Sequence, residues 1–235
     1  MRTDNQHSAF VFCRGGSKGI PKKNIRIVAG KPLLVWTIEC ALASKYINEV
    51  IVSTDSEEIA SIASKNSAKI LMRPAKLARD DSPELDAWKH AIFNYQLNTT
   101  DTFISLPSTS PLRDPSDIDN AIKRYYKGDC DIVFGISESH RSPYLNMVKV
   151  DSSGFIEVVN KKTKIFRRQD CPKVYNITTS TYVGSKKYIT NCTSLMDGRI
   201  ASIKIPIERS LDVDNMFDLH LAELLLSNPF THKND

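Results

Sequence analysis

A glycine-rich, cationic loop directly after an apolar strand constrains this chain most. Residues 9–13 read AFVFC, an apolar run typical of a buried strand, and residues 14–24 read RGGSKGIPKKN. The loop after this strand contains glycines and four cations. Its backbone N–H groups and its positive charge can surround a bound polyphosphate. The spacing matches neither G-x-x-x-x-G-K-[ST] nor G-x-G-x-x-G. The alternative interpretation is that residues 14–24 form a Gly-rich surface turn whose lysines are solvated.

Length and composition fit one main globular domain. The chain has 235 residues, 41% of them hydrophobic and 25% charged, so we expect one α/β domain over residues 1–235 with a small subdomain. No run of eighteen apolar residues occurs, and residues 1–8 lack the apolar segment of a signal peptide. We therefore expect a cytoplasmic protein with no membrane partner. The five cysteines are scattered without a C-x-x-C pair, which argues against a disulfide framework or a structural zinc site.

The positive charge is concentrated in two clusters, and the formal net charge is +5. The clusters consist of Lys18, Lys22, Lys23 and Arg26, and of Lys161, Lys162, Lys164, Arg167 and Arg168. No helix-turn-helix, RNP or zinc-finger pattern accompanies them. Small phosphorylated substrates explain this basicity more simply than nucleic acid, which we do not expect as a partner.

Hydrophobic periodicity organises the chain as alternating strands and helices. Strands are predicted at residues 9–13, 49–53, 69–72, 102–106, 132–136, 181–184 and 200–205. Helices are predicted at residues 33–44, 56–65, 83–96, 115–126 and 216–226, with Asp114 capping the fourth. Strands separated by helical crossovers imply an α/β fold with a doubly wound, mostly parallel sheet.

Residues 137–171 interrupt this rhythm. Residues 147–150 and 155–159, linked by the turn DSSG at 151–154, predict a β-hairpin, and the basic stretch up to Cys171 has weak periodicity. A lone hairpin rarely holds together in water. We therefore expect residues 137–171 to be an inserted dimerisation subdomain that packs against a second copy of the chain.

The loops after the strands are expected to hold the chemistry, because ligands bind beyond the carboxyl ends of the strands in a doubly wound sheet. One such loop contains Asp212 and Asp214, which point to the same side of an extended segment and suit a Mg²⁺ ion bound with a nucleotide. The alternative is that this Asp-x-Asp pair caps the following helix or is solvated in a turn. The remaining Asp-x-Asp pairs are predicted to be solvated: Asp117 with Asp119, and Asp129 with Asp131.

Six motifs occur in a fixed order along the chain. They are RGGSKGIPKKN at 14–24, STD at 53–55, RP at 73–74, TSPLR at 109–113, RQD at 168–170 and DVD at 212–214. This ordered set resembles the acylneuraminate cytidylyltransferases, or CMP-sialic acid synthetases. The resemblance implies a nucleotide-diphospho-sugar-transferase-like fold and Mg²⁺-assisted transfer of CMP from CTP to the anomeric hydroxyl of a nine-carbon 2-keto sugar acid. It also implies a homodimer in which residues 137–171 help to complete the partner's site.

The resemblance assigns roles to residues of these loops. Catalytic roles are implied for Arg14, Lys23, Asp212 and Asp214, with the two aspartates as ligands of Mg²⁺. Nucleotide binding is implied for Arg14, Gly15, Gly16, Ser17, Lys18, Asn24, Arg73 and Ser82. Sugar binding is implied for Thr109, Ser110, Arg167, Arg168, Gln169 and Tyr182, with a solvated basic loop as the alternative for residues 167–169.

Two departures from the family pattern bear on the sugar. Residues 107–111 read PSTSP where the family commonly has QPTSP, and residues 178–182 read TTSTY where it often has NGxxY. Both resemble the branch that acts on bacterial nonulosonic acids such as legionaminic or pseudaminic acid. Two alternative functions stay open. One is a cytidylyltransferase for the eight-carbon acid 3-deoxy-octulosonate, although the first motif of that enzyme family usually lacks the Gly-Gly pair. The other is a regulatory protein that binds nucleotide without turnover.

Overall fold

The structure, a computed structural model, describes residues 7–95, 101–161 and 167–228. Its main sheet is built from β1 (His7–Phe12), β4 (Ile47–Thr54), β5 (Lys69–Met72), β6 (Thr102–Ser105), β7 (Ile132–Glu138), β10 (Tyr175–Ser185) and β11 (Ile200–Lys204). The strand order is β11-β7-β10-β6-β1-β4-β5. Every neighbouring pair is parallel except the two pairs that β10 makes. The predicted mostly parallel sheet is therefore confirmed.

Helices cover both faces of this sheet. They are α1 (Leu33–Leu42), α2 (Glu57–Lys65), α3 (Glu84–Asn94), α4 (Pro115–Tyr125), α5 (Lys186–Asn191) and α6 (Met216–Ser227). Successive side chains of a strand point to opposite faces, so Val11 packs with α1, α2 and α4 whereas Phe10 packs with α3 and α5. A third, smaller cluster joins α6 and Val213 to Ile20 of the glycine-rich loop. This last contact brings the two ends of the chain together.

Short elements complete the fold. Strands β2 (Ile27–Val28) and β3 (Lys31–Pro32) form a small ribbon, and 3-10 turns lie at Lys23–Ile25, Ala75–Leu77, Arg168–Asp170 and Ile207–Arg209. The predicted helix at 83–96 ends at Asn94, and its last predicted residue lies outside the described residues. In the described parts of the chain, no helix is both long and apolar enough to cross a lipid bilayer.

Strand β10 runs antiparallel between β6 and β7 and is longer than the sequence predicts. Only residues 181–184 carry a clear apolar pattern, whereas the polar segment from Tyr175 is held in place by its pairing with β7. The register with β7 shifts between Thr178 and Tyr182. A Cβ atom on Gly135 would lie 2.4 Å from the Thr178 hydroxyl, so glycine is what lets the two strands approach there.

The predicted hairpin forms a separate two-stranded sheet, with β8 at Val148–Val150 and β9 at Ile156–Val158. Its apolar side chains are left uncovered: Val150, Phe155 and Ile156 are 67%, 73% and 69% exposed. An exposed apolar patch of this kind is typical of an interaction surface. The assignment of residues 137–171 to dimerisation stays a prediction, and residues 162–166, which include Lys162 and Lys164, lie outside the described residues.

The prediction that the other Asp-x-Asp pairs are solvated is wrong for the pair on α4. Asp117 and Asp119 are only 2% and 6% exposed. Asp117 receives two hydrogen bonds from Arg209, at 3.0 and 2.8 Å, and Asp119 accepts a 2.6 Å hydrogen bond from the Ser44 hydroxyl. These partners come from distant parts of the chain, so no local pattern reveals that the carboxylates are buried and compensated. Asp129 is exposed, as predicted, and pairs with Arg124.

Candidate active site

A cavity of about 470 Å³ lies at the carboxyl edge of the sheet, between the loops that follow β1, β5 and β6 and the segment that precedes α6. This is the place where ligands bind in doubly wound sheets. It gathers most of the residues predicted to bind nucleotide or to catalyse: Arg14, Ser17, Lys18, Lys23, Asn24, Arg73, Ser82 and Asp214. Thr109, predicted to bind the sugar, also lines it. Two acidic residues that the sequence analysis did not single out, Asp80 and Glu84, also line it.

Buried hydrogen bonds fix the shape of the glycine-rich loop. Asn24 is 6% exposed, donates from its amide to the Arg14 carbonyl at 3.0 Å and accepts from the Ser108 hydroxyl at 2.8 Å. The Gly15 N–H donates to Asp55 at 2.9 Å. In contrast, the N–H groups of Gly16 and Ser17 make no hydrogen bond within the described ranges. These two amides are therefore available to an anionic ligand.

Asp80 neutralises two of the loop's cations. Its two carboxylate oxygens each lie 2.6 Å from a cation, one from Arg14 Nη1 and the other from Lys18 Nζ. The hydrogen bond from Lys18, with a second from Arg14, holds the pKa of Asp80 below its ordinary value. The carboxylate thus occupies the position at which a phosphate oxygen would meet the same cations.

Lys23 and Gly19 join the glycine-rich loop to the segment around Asp214. Lys23 donates from Nζ to the Val213 carbonyl at 2.7 Å and lies 3.2 Å from the Asp214 carboxylate. A Cβ atom on Gly19 would come within 2.7 Å of the Asp214 carbonyl oxygen. No real Cβ atom approaches a backbone oxygen that closely, so glycine allows the two segments to cross here.

The two aspartates of the DVD motif differ in their surroundings. Asp214 has a 70% exposed side chain, whereas Asp212 is partly buried and its Oδ1 atom has no hydrogen-bond partner among the described residues. Desolvation raises the pKa of Asp212, the Thr109 hydroxyl lowers it, and the Asp214 carboxylate raises it again. A buried carboxylate oxygen without a partner is unfavourable unless a cation meets it.

One alternative role for these aspartates, as the N-cap of α6, is filled by another residue. Asn215 is the N-cap: its side chain accepts from the Asp218 N–H at 3.1 Å, and Asp218 completes a capping box by accepting from the Asn215 N–H at 3.1 Å. The side chains of Asp212 and Asp214 are therefore not needed as the N-cap of the helix.

The opposite wall of the cavity carries Arg73 and Ser82. Arg73 is 8% exposed, and its Nε atom has no hydrogen-bond partner in the described part of the chain. Burial lowers the pKa of Arg73, and the charge of Asp55 opposes this effect. The Ser82 hydroxyl donates to the Lys76 carbonyl at 2.7 Å, so it fastens its own loop.

The predicted sugar-binding residues are divided between three places. Thr109 lies beside Asp212, and the Ser110 hydroxyl is 3.1 Å from that of Thr179. Tyr182 packs in the core against Trp88 and Phe134. Residues 167–169 lie elsewhere: Arg167 pairs with Asp170, Arg168 donates to the His140 carbonyl, and Arg168 and Gln169 line a second cavity of about 430 Å³. One copy of the chain therefore does not bring residues 167–169 to the first cavity.

A divalent metal would need ligands from outside the protein as well. Across the described ranges, no group of three or more His, Cys, Asp or Glu side chains is arranged to hold a metal ion. The carboxylates of Asp212 and Asp214 are hard oxygen ligands, and Mg²⁺ is commonly bound by one or two carboxylates together with water and substrate phosphates. The pair, with its unpartnered Oδ1 atom, fits such an ion.

Comparison with known proteins gives consistent results. Residues 9–199 match the sequence model of the cytidylyltransferase family. Post-translational flagellin modification protein B of Campylobacter coli is 30% identical over 221 residues, which cover 92% of this chain and 93% of that protein. CMP-N,N'-diacetyllegionaminic acid synthase of Campylobacter jejuni is 28% identical, with 92% and 93% covered.

Other relatives are longer than this chain. N-acylneuraminate cytidylyltransferase A of Danio rerio is 32% identical over 94% of the chain, which spans 51% of that protein. Among solved structures, a CMP:2-keto-3-deoxy-manno-octonic acid synthetase complexed with CTP superposes with a TM-score of 0.75 at 15% identity, and the match covers 96% of this chain and 100% of that one. The structural match at this identity indicates a shared fold.

Proposed function

The chain belongs to the cytidylyltransferase family, and on that premise we propose that it transfers CMP from CTP to the anomeric hydroxyl of a nine-carbon 2-keto sugar acid and releases pyrophosphate. The observation that carries this proposal is the cavity lined by Arg14, Lys18, Lys23 and Asp214, in which Lys23 pairs with the Asp214 carboxylate at 3.2 Å. The chain matches two bacterial relatives over 93% of their length, and one of them is named CMP-N,N'-diacetyllegionaminic acid synthase. We therefore propose a bacterial nonulosonic acid as the substrate, and the cytoplasm, which supplies CTP, as the site of action.

The cationic loop binds and orients the triphosphate. The oxygen of the anomeric hydroxyl attacks the α-phosphorus and gives up its proton, while the bond from the α-phosphorus to pyrophosphate breaks. Such a reaction is promoted mainly by positioning and by neutralising charge on the phosphoryl oxygens. Arg14, Lys18 and Lys23 supply that charge, and the free amides of Gly16 and Ser17 donate to oxygens that carry it.

Asp212 and Asp214 would hold Mg²⁺ on the other side of the triphosphate. The unpartnered Oδ1 atom of Asp212 and the exposed carboxylate of Asp214 are the observations that favour this. A bound Mg²⁺ supplies Lewis-acid stabilisation of phosphate charge. Lys23 keeps the segment in position through its hydrogen bond to the Val213 carbonyl.

The sugar acid is proposed to bind between two copies of the chain. Thr109 lines the cavity proposed for the nucleotide, whereas Arg168 and Gln169 line a different cavity of the same chain. A homodimer in which residues 137–171 reach the neighbouring subunit would bring the two sets together. The uncovered apolar side chains of Phe155 and Ile156 favour such an interface.

Pyrophosphate release tests the reaction. The chain is incubated with CTP, Mg²⁺ and a panel of eight- and nine-carbon sugar acids, and turnover is expected with a nine-carbon acid. Arg14→Ala and Lys23→Ala should each lower turnover by roughly 10²-fold, the scale of losing one preorganised charge. Turnover restricted to the eight-carbon acid would favour the 3-deoxy-octulosonate alternative, and tight CTP binding without turnover would favour a regulatory protein.

Light scattering tests the homodimer. A dimeric mass at micromolar concentration is expected, and Phe155→Asp, which places a charge on the exposed hairpin, should shift it towards the monomer and lower activity together. A monomeric mass with full activity would reject the shared site.

A further inference from the structure

Ser108 is a buried residue on the cavity wall that the reaction described above does not use. It lies in the loop that follows β6 and lines the cavity, yet it is only 3% exposed. Its hydroxyl donates to the Asn24 amide oxygen at 2.8 Å, in a buried hydrogen bond between residues 84 positions apart. The hydroxyl is therefore committed to a neighbouring side chain.

The Ser108 hydroxyl determines which end of the Asn24 amide faces Arg14. The amide oxygen accepts from Ser108, so the amide nitrogen is turned towards the Arg14 carbonyl, to which it donates at 3.0 Å. If the amide turned by half a rotation, its oxygen would face the Arg14 carbonyl oxygen, and two acceptors repel each other. Because Asn24 is buried, the donor on Ser108 stabilises the observed orientation over the rotated one.

The peptide group between Arg14 and Gly15 is held from both sides as a result. Its carbonyl oxygen accepts from Asn24, and its N–H donates to the Asp55 carboxylate at 2.9 Å. The plane of this peptide group sets the direction in which the Arg14 side chain leaves the backbone. A charge that stabilises phosphate must be placed accurately, so a rotation of this one peptide group would reduce what Arg14 contributes.

The residue after Ser108 ties the same loop to the DVD segment. The Thr109 carbonyl accepts from the Val213 N–H at 2.8 Å, and the Thr109 side chain lies beside Asp212. The loop itself is anchored by the buried Arg113, which donates to the Pro107 carbonyl at 2.6 Å. An anchored loop therefore contacts the glycine-rich loop through one residue and the proposed metal-binding segment through the next.

We propose that Ser108 is a positioning residue for CTP: its hydroxyl orients Asn24, and Asn24 holds the peptide group from which the Arg14 side chain projects towards the triphosphate. The proposal rests on the proposed cytidylyltransferase function and adds a residue that acts through two others. Ser108 stands where the pattern QPTSP has proline, which has no side-chain donor. Since Ser108 lines the cavity, the competing assignment is a direct contact between its hydroxyl and the ligand.

Calorimetric titration with CTP in Mg²⁺, without sugar acid, tests the positioning independently of turnover. Ser108→Ala should weaken CTP binding about 5- to 20-fold, because the Asn24 oxygen is left buried without its donor and the amide no longer keeps one orientation. Ser108→Thr and Ser108→Val form a second comparison at nearly equal side-chain shape, in which only threonine carries a hydroxyl. The threonine variant should bind CTP more tightly than the valine variant by a similar factor.

Double variants separate positioning from direct contact with the ligand. In an Asn24→Ala or an Arg14→Ala background, Ser108→Ala should weaken CTP binding further by about twofold or less, because the residues through which it acts have been removed. The same pattern is expected for pyrophosphate release with sugar acid. A hydroxyl that contacts the ligand directly would cost its full factor in every background, and that result overturns the proposal.

The chain offers a matched control in Ser44. This residue is likewise buried, and its hydroxyl donates to a side-chain oxygen, that of Asp119, at 2.6 Å and outside the cavity. Ser44→Ala should lower the melting temperature, as Ser108→Ala does, but should leave CTP affinity and turnover unchanged. Melting curves of all variants establish that they are folded.

The remaining outcomes distinguish the positioning from the function on which it rests. Equal losses of CTP affinity in Ser44→Ala and Ser108→Ala, or equal affinities of Ser108→Thr and Ser108→Val, overturn the proposal. The expected pattern of CTP affinities without pyrophosphate release from any sugar acid supports the positioning and rejects the reaction. A wild type that does not bind CTP rejects both.

Discussion

Replacing Asp212 by Asn should separate the proposed catalytic role of the DVD segment from its structural role. Asp212 is partly buried, and its Oδ1 atom has no hydrogen-bond partner among the described residues. Asparagine also leaves a polar atom at this position, but an unsatisfied ionised carboxylate costs more than the roughly 1–3 kcal/mol of a neutral group. The Thr109 hydroxyl and the charge of Lys23 offset part of this cost, so the substitution should raise the free energy of unfolding by about 1 kcal/mol at pH 7. That is about 2–4 °C in melting temperature for a chain of this size.

The pH dependence of this gain follows from the direction of the pKa shift. The pKa of Asp212 is raised in the folded chain, mainly by desolvation. The folded state therefore binds the proton more tightly than the unfolded state does, and ionisation opposes folding. The penalty is fully present above the folded-state pKa and absent below the unfolded value of about 3.9. The gain of Asp212→Asn in stability should accordingly be present at pH 7 and disappear as the pH falls below about 4.

Activity should move in the opposite direction. Asp212→Asn should lower CTP-dependent pyrophosphate release by about 10²-fold or more, because the segment loses a charge needed beside the triphosphate. The double variant Asp212→Asn/Asp214→Asn should in addition lose the dependence of its rate on Mg²⁺, while CTP still binds weakly through Arg14 and Lys23.

Asn215→Ala provides the matched control one residue beyond the motif. It removes the N-cap of α6 and should lower stability by about 1 kcal/mol while leaving turnover nearly unchanged. Thermal melts and pyrophosphate release are measured on the three variants at the same pH values. Loss of the cap should lower stability and leave turnover nearly unchanged, whereas loss of the Asp212 carboxylate should raise stability and lower turnover. An Asp212→Asn chain that is less stable at pH 7 than the wild type, or as active, would refute the reasoning.

Two further predictions concern the glycine-rich loop. Gly19→Ala should lower turnover at least about tenfold with little loss of secondary structure by circular dichroism, because the new Cβ atom pushes Asp214 away; unchanged turnover would contradict the crowding. Asp80→Asn should tighten CTP binding about two- to fivefold at low salt and less at high salt, because the triphosphate no longer displaces a carboxylate from Arg14. Asp129→Asn makes the same charge change at an ion pair with Arg124 outside the cavity, so it should leave the calorimetric affinity unaltered, and equal shifts in both variants would reject this competition.

The sequence predicts those parts of the fold that depend on local patterns. The strand and the glycine-rich loop of residues 9–24 predict where the cavity lies, because the carboxyl ends of parallel strands meet at the same edge of the sheet. Asp114 acts as the N-cap of α4, as its position before Pro115 predicts. The family resemblance adds the order of the loops, and the comparisons confirm the cytidylyltransferase assignment.

What the sequence does not reveal depends on contacts between distant residues. Asp80 stands between Arg79 and Asp81 in what reads as a solvated charged run, and Glu84 reads as an ordinary acid in the first turn of a helix. Only the folded chain shows that both line the cavity. Likewise, the choice between Asp214 and Asn215 as helix cap depends on one residue of register, which propensity does not resolve.

The hydrogen bond from Lys23 to Val213 also has a consequence for the order of events during synthesis. The two residues are separated by 190 positions. At about 5–20 residues per second, roughly 10–40 s of translation pass between them. Throughout that interval the emerging chain carries Lys23 and the glycine-rich loop, but not the Val213 carbonyl and the Asp214 carboxylate that Lys23 contacts. The glycine-rich loop can therefore reach its final position only after residues 213–214 have been made, late in the synthesis of the chain.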